Sequence, residues 1–412
     1  MLQEAIDRCV QCGFCLQACP TYRLQNDEEQ SPRGRIALAK GMLRGEVEPS
    51  LVTLQTFDDC LGCRACEAAC PSGVHYAEIL MYGREELKKK SQPVPWHVRM
   101  LYATIQRPGR IVLARKTWRV LGRPAIRLAR ALGARRPPFS MLAALPGPAP
   151  QEAAKLPGPV EASIHRGCLM NVFWEGTNAR AALLLRDAGV SANLMDESVG
   201  CCGAMHAHEG DVETARAMAR RVIEAFEQEG SKRIVSLAGG CGAFLKEYPE
   251  LFEGDAEWHP RAERLAEAVT DVTSLLAAQG AVPAGGHDCL TYQDSCHLRN
   301  GLGVVAPPRT LLRQAGEYRE LPSAGQCCGS AGVYNLLHPD VSGTIISAKV
   351  EEVRALGART MITANPGCEL QWRMGVQQSG LEARVCHIVD YLYEEGLQPA
   401  PPAEREAAGT AG

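Results

Sequence analysis

Cys9, Cys12, Cys15 and Cys19 stand ahead of Pro20, and the same rhythm returns in Cys60, Cys63, Cys66 and Cys70 ahead of Pro71. Three thiolates two residues apart fit a loop wrapped round three corners of an iron–sulfur cubane, while a fourth, just before proline, points toward a neighbouring cluster. The pattern predicts two [4Fe–4S] clusters with crossed ligation. Cys9, Cys12, Cys15 and Cys70 hold the first; Cys60, Cys63, Cys66 and Cys19 hold the second. Zinc needs only four ligands, usually offered as two C-x2-C pairs, and disulfides have little use for such tight spacing. Two adjacent cubanes pass single electrons, so the first expectation is redox relay.

A second set of cysteines is duplicated over a longer period. Cys168, Cys201-Cys202-Gly203 and Cys241 recur as Cys296, Cys327-Cys328-Gly329 and Cys368, at offsets of 128, 126, 126 and 127 residues. A period of this length implies duplicated domains. Adjacent cysteines before a glycine cannot both face a core, and glycine lets the backbone turn back. Each quartet therefore offers four thiols from three segments, enough for one metal centre. The competing reading is buried free thiols, since cysteine packs as a small hydrophobe. For Cys289 and Cys386, outside both quartets, that reading is preferred.

These ligands need elements to position them. The 51 residues separating Cys9 from Cys60 include Ser31-Pro32-Arg33-Gly34-Arg35-Ile36, which reads as a capped helix with proline in its first turn and favours a helical two-cluster domain over residues 1–92. In each later half a short apolar run (160–165; 288–293) enters the first cysteine, a long helix (211–229; 340–356) follows the Cys-Cys-Gly loop, and a buried strand (233–238; 360–364) delivers the last cysteine. Alternating strands and helices predict a parallel sheet in each α/β repeat, with ligands gathered beyond the carboxyl ends of the strands. The repeats are set at 160–285 and 286–395, with a disordered tail expected over 396–412. Between the modules lie a basic helical segment and a proline-rich extended linker, 93–159.

The chain has 412 residues, 18 of them cysteine, and is 46% hydrophobic, enough for several cored domains. It opens without an export signal and has no apolar run of membrane-spanning length, which predicts a cytoplasmic protein whose cysteines are ligands or redox thiols. Nothing points to nucleic acid. Net charge is only −3, yet residues 96–136 contribute eleven Lys and Arg and no acid, leaving −14 on the remainder. Apolar residues run through the same stretch, so an amphipathic helix pair on an anionic membrane surface at the inner face of the plasma membrane competes with a solvated linker helix.

Residues 160–380 resemble the tandem cysteine-rich domain of heterodisulfide reductase. Together with Asp7-Arg8-Cys9-Val10-Gln11-Cys12-Gly13-Phe14-Cys15, Cys19-Pro20-Thr21-Tyr22, Ser31-Pro32-Arg33-Gly34-Arg35-Ile36 and Asp294-Ser295-Cys296-His297-Leu298-Arg299, nearly the whole chain resembles the iron–sulfur subunits of glycolate oxidase, with those of lactate-utilisation and anaerobic glycerol-3-phosphate dehydrogenase complexes as sisters. The resemblance implies an electron-transfer subunit of a flavin-dependent 2-hydroxy acid dehydrogenase that sends electrons from FAD on a partner subunit toward quinone. It implies no catalytic residue on this chain. Where the heterodisulfide reductase pattern has the first cysteine of C-x-x-C, this chain has Ala238 and Asn365. That speaks against the alternative of a disulfide-cleaving enzyme and leaves further iron–sulfur centres in the repeats open.

Two other signals are set aside. Gly301-Leu302-Gly303-Val304-Val305-Ala306 fits a loose dinucleotide fingerprint, but it follows a polar turn, and Pro307-Pro308 stands where a helix should run. His206 and His208 are expected to be a surface pair.

Overall fold

The computed structural model describes residues 2–90, 94–133, 137–286 and 288–398. A helical module comes first. Its helices include Phe14–Ala18, Pro32–Leu43, Leu51–Asp58, Ala65–Ala68 and Tyr76–Lys89. The predicted cap is present: Ser31 Oγ accepts from Gly34 N at 2.9 Å, with Pro32 at the first helical position. Leu54, Phe57, Ile36, Ile6 and Ile79 form the module's small core.

Two α/β repeats follow. In the first, β1 (Ala162–His165), β2 (Ala192–Leu194), β3 (Arg233–Ser236) and β4 (Val269–Asp271) form an all-parallel sheet in the order β2-β1-β3-β4. A strand pair β5 (Val282–Pro283) and β10 (Leu397–Gln398) lies apart from it, antiparallel. In the second, β6 (Cys289–Gln293), β7 (Glu317–Tyr318), β8 (Thr360–Thr363) and β9 (Arg384–His387) repeat the arrangement as β7-β6-β8-β9. The long helices are Val212–Glu229 and Pro339–Leu356, as expected from the sequence. The repeats share one core, in which Ile164, Leu185 and Leu276 meet Tyr292, Leu311 and Tyr391.

Three expectations change. Residues 397–398 of the expected tail are paired to β5, while 399–412 lie outside the described residues. The proline-rich stretch is no free linker: it contains the helix Phe139–Ala144, which buries Ala143 and Ala144, and Leu156 exchanges hydrogen bonds with the Asn193 side chain. The basic segment forms helices Trp96–Ile105 and Pro108–Ala131 packed on the first repeat, whose core takes in Ile105 and Ile111. Their other face leaves Trp96, Met100, Leu113, Val120, Leu121, Leu128 and Leu132 exposed. Arg135 and Arg136 lie outside the described residues. No described helix is long and apolar enough to cross a membrane.

Candidate metal centres

The two ferredoxin-like loops have one backbone conformation with residue types exchanged. Gln11 and Gly13 flank Cys12 at φ 57° and 83°; Gly62 and Arg64 flank Cys63, both at φ 59°. Left-handed residues on either side of the middle cysteine curl each loop, so that its three thiols converge. A helix starts directly after each curl, at Phe14 and at Ala65.

Two neighbouring cavities result. Cys9, Cys12, Cys15 and Cys70 line one, together with Cys66. Cys19, Cys60, Cys63 and Cys66 line the other. Tyr76, Pro32 and Cys66 line both and so form the partition. Each cavity gathers the four thiols of the crossed assignment, the fourth crossing from the other loop.

The donor set fits an iron–sulfur cluster. Burial pushes the Cys63 and Cys66 thiols well up from their usual range and Cys15 up to about 11, so these groups ionise only against a strong local cation such as a coordinated metal. Arg35, fully buried, supplies fixed positive charge near Cys19 and Cys60. Its guanidinium is held by Gln30 O (2.7 Å), Gln30 Oε1 (2.6 Å) and Thr56 O (2.5 Å). Sulfurs also receive hydrogen bonds, from Gly62 N to Cys60 (3.4 Å), from Tyr76 Oη to Cys60 (3.7 Å) and from Gln11 Nε2 to Cys9 (3.6 Å). Such bonds set the potential of a bound cluster.

In the α/β repeats, chain order places the cysteines. β1 and β3 are the central strands of the first sheet, and the connections leaving them diverge to opposite sides, which opens a crevice at their carboxyl ends. Cys168 follows β1, and Cys241 lies in the first turn of the helix Gly239–Lys246 after β3. Cys296 and Cys368 occupy the same places after β6 and β8. Gly203 and Gly329 turn the Cys-Cys loops back at φ 94° and 89°. A side chain there would crowd Ala215 O at 3.2 Å and Ser342 O at 3.0 Å. Their amides donate to the sulfurs of Cys201 (3.4 Å) and Cys327 (3.5 Å).

All eight of these cysteines line a single cavity between the three modules. Leu61, Arg64, Tyr76 and Arg84 of the helical module line it as well. Cys63 is buried in an apolar cluster with Leu61, Cys327 and Tyr334, and its carbonyl accepts from Asn300 Nδ2 at 2.8 Å. Arg84 bridges Cys60 O (2.6 Å) and His208 O (2.7 Å), while Arg64 pairs with Glu247. The second ferredoxin site therefore abuts the second quartet. Cys289 and Cys386 are not among the residues lining this cavity.

The expected surface histidine pair is internal. His206 is buried, with Nδ1 3.3 Å from Asp211 Oδ2 and its ring edge-on to Tyr102. Half-buried His208 stacks on His297, centroids 5.3 Å apart at 15°, and so joins the first repeat to the second. The residues at the missing cysteine positions also differ. With its amide oxygen toward the backbone, Asn365 caps the helix Pro366–Ser379 by accepting from Gly367 N and Cys368 N at 3.2 Å; Ala238 has no polar side chain. The Gly301–Ala306 segment leaves the helix Cys296–Asn300, not a strand, and Pro307 and Pro308 sit in the opening turn of the helix Ala306–Ala315.

Comparison with known proteins agrees with this geometry. Residues 5–74 match the 4Fe-4S dicluster domain, and residues 162–246 and 290–373 match the cysteine-rich domain. A protein of Bacillus subtilis (strain 168) described as "Probable glycolate oxidase iron-sulfur subunit" is 36% identical over 94% of this chain and 93% of its own. The "Glycolate oxidase iron-sulfur subunit" of Escherichia coli (strain K12) is 33% identical over 88% of each chain. The chain belongs to the glycolate oxidase iron–sulfur subunit family. It is an iron–sulfur protein of an oxidoreductase family with a helical dicluster domain and two cysteine-rich α/β repeats. Lactate utilization protein A of Exiguobacterium is 30% identical over 57% of this chain and 96% of its own. A hypothetical protein from Helicobacter pylori shares the fold, with a TM-score of 0.52 at 10% identity, covering 96% of this chain and 72% of that one.

Sequence reasoning missed the contact of Cys63 with the second quartet, the buried Arg35 and the histidine at the end of β1. Only the last left a local signal, a polar residue closing an apolar strand.

Proposed function

We propose that this chain is the electron-transfer subunit of a flavin-dependent 2-hydroxy acid dehydrogenase complex that oxidises glycolate and delivers electrons to quinone. The relatives' names supply the substrate class. The observation that supports the relay is the burial of Cys63 in one apolar cluster with Cys327, which brings the second ferredoxin site up against the second repeat. Bound iron–sulfur clusters supply one-electron carriers; hydride chemistry belongs to a flavin, here FAD on a partner subunit.

In this reading Cys9, Cys12, Cys15 and Cys70 hold one [4Fe–4S] cluster, and Cys60, Cys63, Cys66 and Cys19 hold a second. Cys296, Cys327, Cys328 and Cys368 form a further site, as do Cys168, Cys201, Cys202 and Cys241. The exposed apolar and basic face of the helices Trp96–Ile105 and Pro108–Ala131 rests on anionic lipid at the cytoplasmic face of the plasma membrane, near quinone.

The test is to assay glycolate-dependent dye reduction by the isolated chain and by the chain co-expressed with flavin-bearing subunits. Activity is expected only in the second case, preferring glycolate or D-lactate to glycerol 3-phosphate. Turnover by the isolated chain, or reduction of a heterodisulfide by it, would overturn the assignment.

A further inference from the structure

The two repeats share one order of elements, yet the residue that closes the first strand differs in kind. His165 ends β1 opposite Ser236 of β3; Gln293 ends β6 opposite Thr363 of β8, at the same place in the register. Gln293 is anchored to the backbone through Nε2, which donates to Asp294 O (2.8 Å), Ala324 O (2.6 Å) and Gln326 O (3.0 Å), and only its Oε1 lacks a partner among the described residues. His165 is equally buried, at 3% exposure, but neither ring nitrogen has a hydrogen-bond partner among the described residues. A buried imidazole with both nitrogens unsatisfied is costly unless a bound group takes up a lone pair.

The geometry supplies the destination. A ring nitrogen of His165 and the sulfurs of Cys202 and Cys241 all lie within 4.8 Å of one another, a spread that one ion, or one corner of a cluster, can draw together. Cys201 lies beside Cys202, and Cys168 beside Cys201, so the remaining thiols of the quartet adjoin the trio. Ala238, at the position of the missing cysteine, offers no donor.

We propose that His165 is a metal ligand, and that the first repeat holds its metal through mixed imidazole and thiolate donors, whereas the second offers thiolates alone. The bound group is a thiophilic transition metal, iron or zinc, both of which accept this donor set. The assignment rests on the reading that the first quartet binds metal.

The experiment uses the full chain purified without oxygen. Metal content is measured together with pulsed EPR for nitrogen couplings to iron and zinc-edge X-ray absorption, in the native protein, in His165→Gln and in His165→Cys. A nitrogen coupled to iron, or a nitrogen scatterer on zinc, is expected in the native protein. It should disappear in both variants, while His165→Cys retains the metal and so controls for folding. Metal in the first repeat with sulfur donors only, or a nitrogen signature unchanged in His165→Cys, would overturn the ligand assignment alone. Metal content that is the same in the native chain and in Cys202→Ser would overturn both this assignment and the metal-site reading beneath it.

Discussion

The two cysteine-rich repeats share one topology and one Cys-Cys-Gly turn, but they are finished by different neighbours. The second is closed by the ferredoxin-like module. Tyr334 Oη donates to Asp59 O at 3.2 Å, His338 Nε2 lies 3.3 Å from Asp58 Oδ2, and Cys63 is packed against Cys327. The first is braced by the basic helix Pro108–Ala131, from which buried Arg115 reaches Glu197 (2.8 Å) and Glu175 (3.1 Å). Both repeats touch the ferredoxin-like module, the first through Arg84 on His208 O and Arg64 on Glu247, but only the second packs a ferredoxin cysteine against its quartet, and the first also carries the basic helix with the exposed apolar stripe. The strand order is the same in both; the differences lie in what packs on the sheets and in the residue that closes the first strand, His165 in one and Gln293 in the other.

The largest effects should come from the quartets. Replacing Cys327 and Cys328 with serine is expected to strip metal from the second repeat and to stop quinone reduction in the flavin-containing complex. Replacing Cys201 and Cys202 should lower metal content and complex stability, because ligands drawn from three segments couple binding to folding. Full retention of metal and assembly in either double variant would return that quartet to buried thiols.

Next in size is the brace. Arg115→Ala leaves Glu175 with Arg119 alone and Glu197 without its buried cation, and should destabilise the first repeat by about 2 kcal/mol, read as a fall in Tm. An unchanged Tm would show that the basic helix does not hold that repeat. The turns should behave alike: Gly203→Ala and Gly329→Ala each force an L residue into the left-handed region, at a cost of about 1–2 kcal/mol. Unequal losses would mean that the two Cys-Cys loops are not equivalent.

The seam between the repeats carries a pH signature. Glu369, on the second repeat, accepts from Trp174 Nε1 of the first at 2.7 Å and from Arg373 Nε at 2.7 Å. Burial lifts its carboxyl from 4.5 to about 7. The folded state therefore holds the proton more tightly than the unfolded chain, and the associated stability is full below about 4.5 and lost as pH rises through about 7. Glu369→Gln should flatten the decline in Tm between about pH 4.5 and 7. A decline of the same size in the variant would place its origin elsewhere.

The smallest effect concerns the surface of the basic helices. Each exposed cation near an anionic membrane contributes about 1 kcal/mol, screened over a Debye length of roughly 8 Å. Binding to anionic vesicles should be strong at low salt and fade as salt rises, with none to neutral vesicles. Equal binding to both would remove the electrostatic account.

Much of this was legible because it is local. Ligand spacing, the cap at Ser31, the strands entering Cys168 and Cys296 and the turn glycines depend on residues a few positions apart. The match of residues 297–299 pointed to a family, but not to the stacking of His297 on His208, since those rings are brought together from different repeats. The packing of Cys63 on Cys327 joins distant modules and left no trace in spacing. His206 and His208 were misjudged for the same reason: their neighbourhood is polar in sequence, and burial comes from the ferredoxin-like module and Tyr102. The proline-rich stretch misled in the opposite sense, since prolines that disfavour long helices do not prevent a short one from packing.

The central claim, that paired loops hold two clusters by exchanging their fourth ligands, is tested most directly by iron analysis and EPR on the anaerobically purified chain and its Cys19→Ser variant. The native ferredoxin-like module is predicted to hold about eight iron atoms as two clusters of four. Cys19→Ser is predicted to disrupt the cluster on Cys60, Cys63 and Cys66 while sparing the one on Cys9, Cys12 and Cys15. Zinc in place of iron, or damage confined to the Cys9 site, would contradict it.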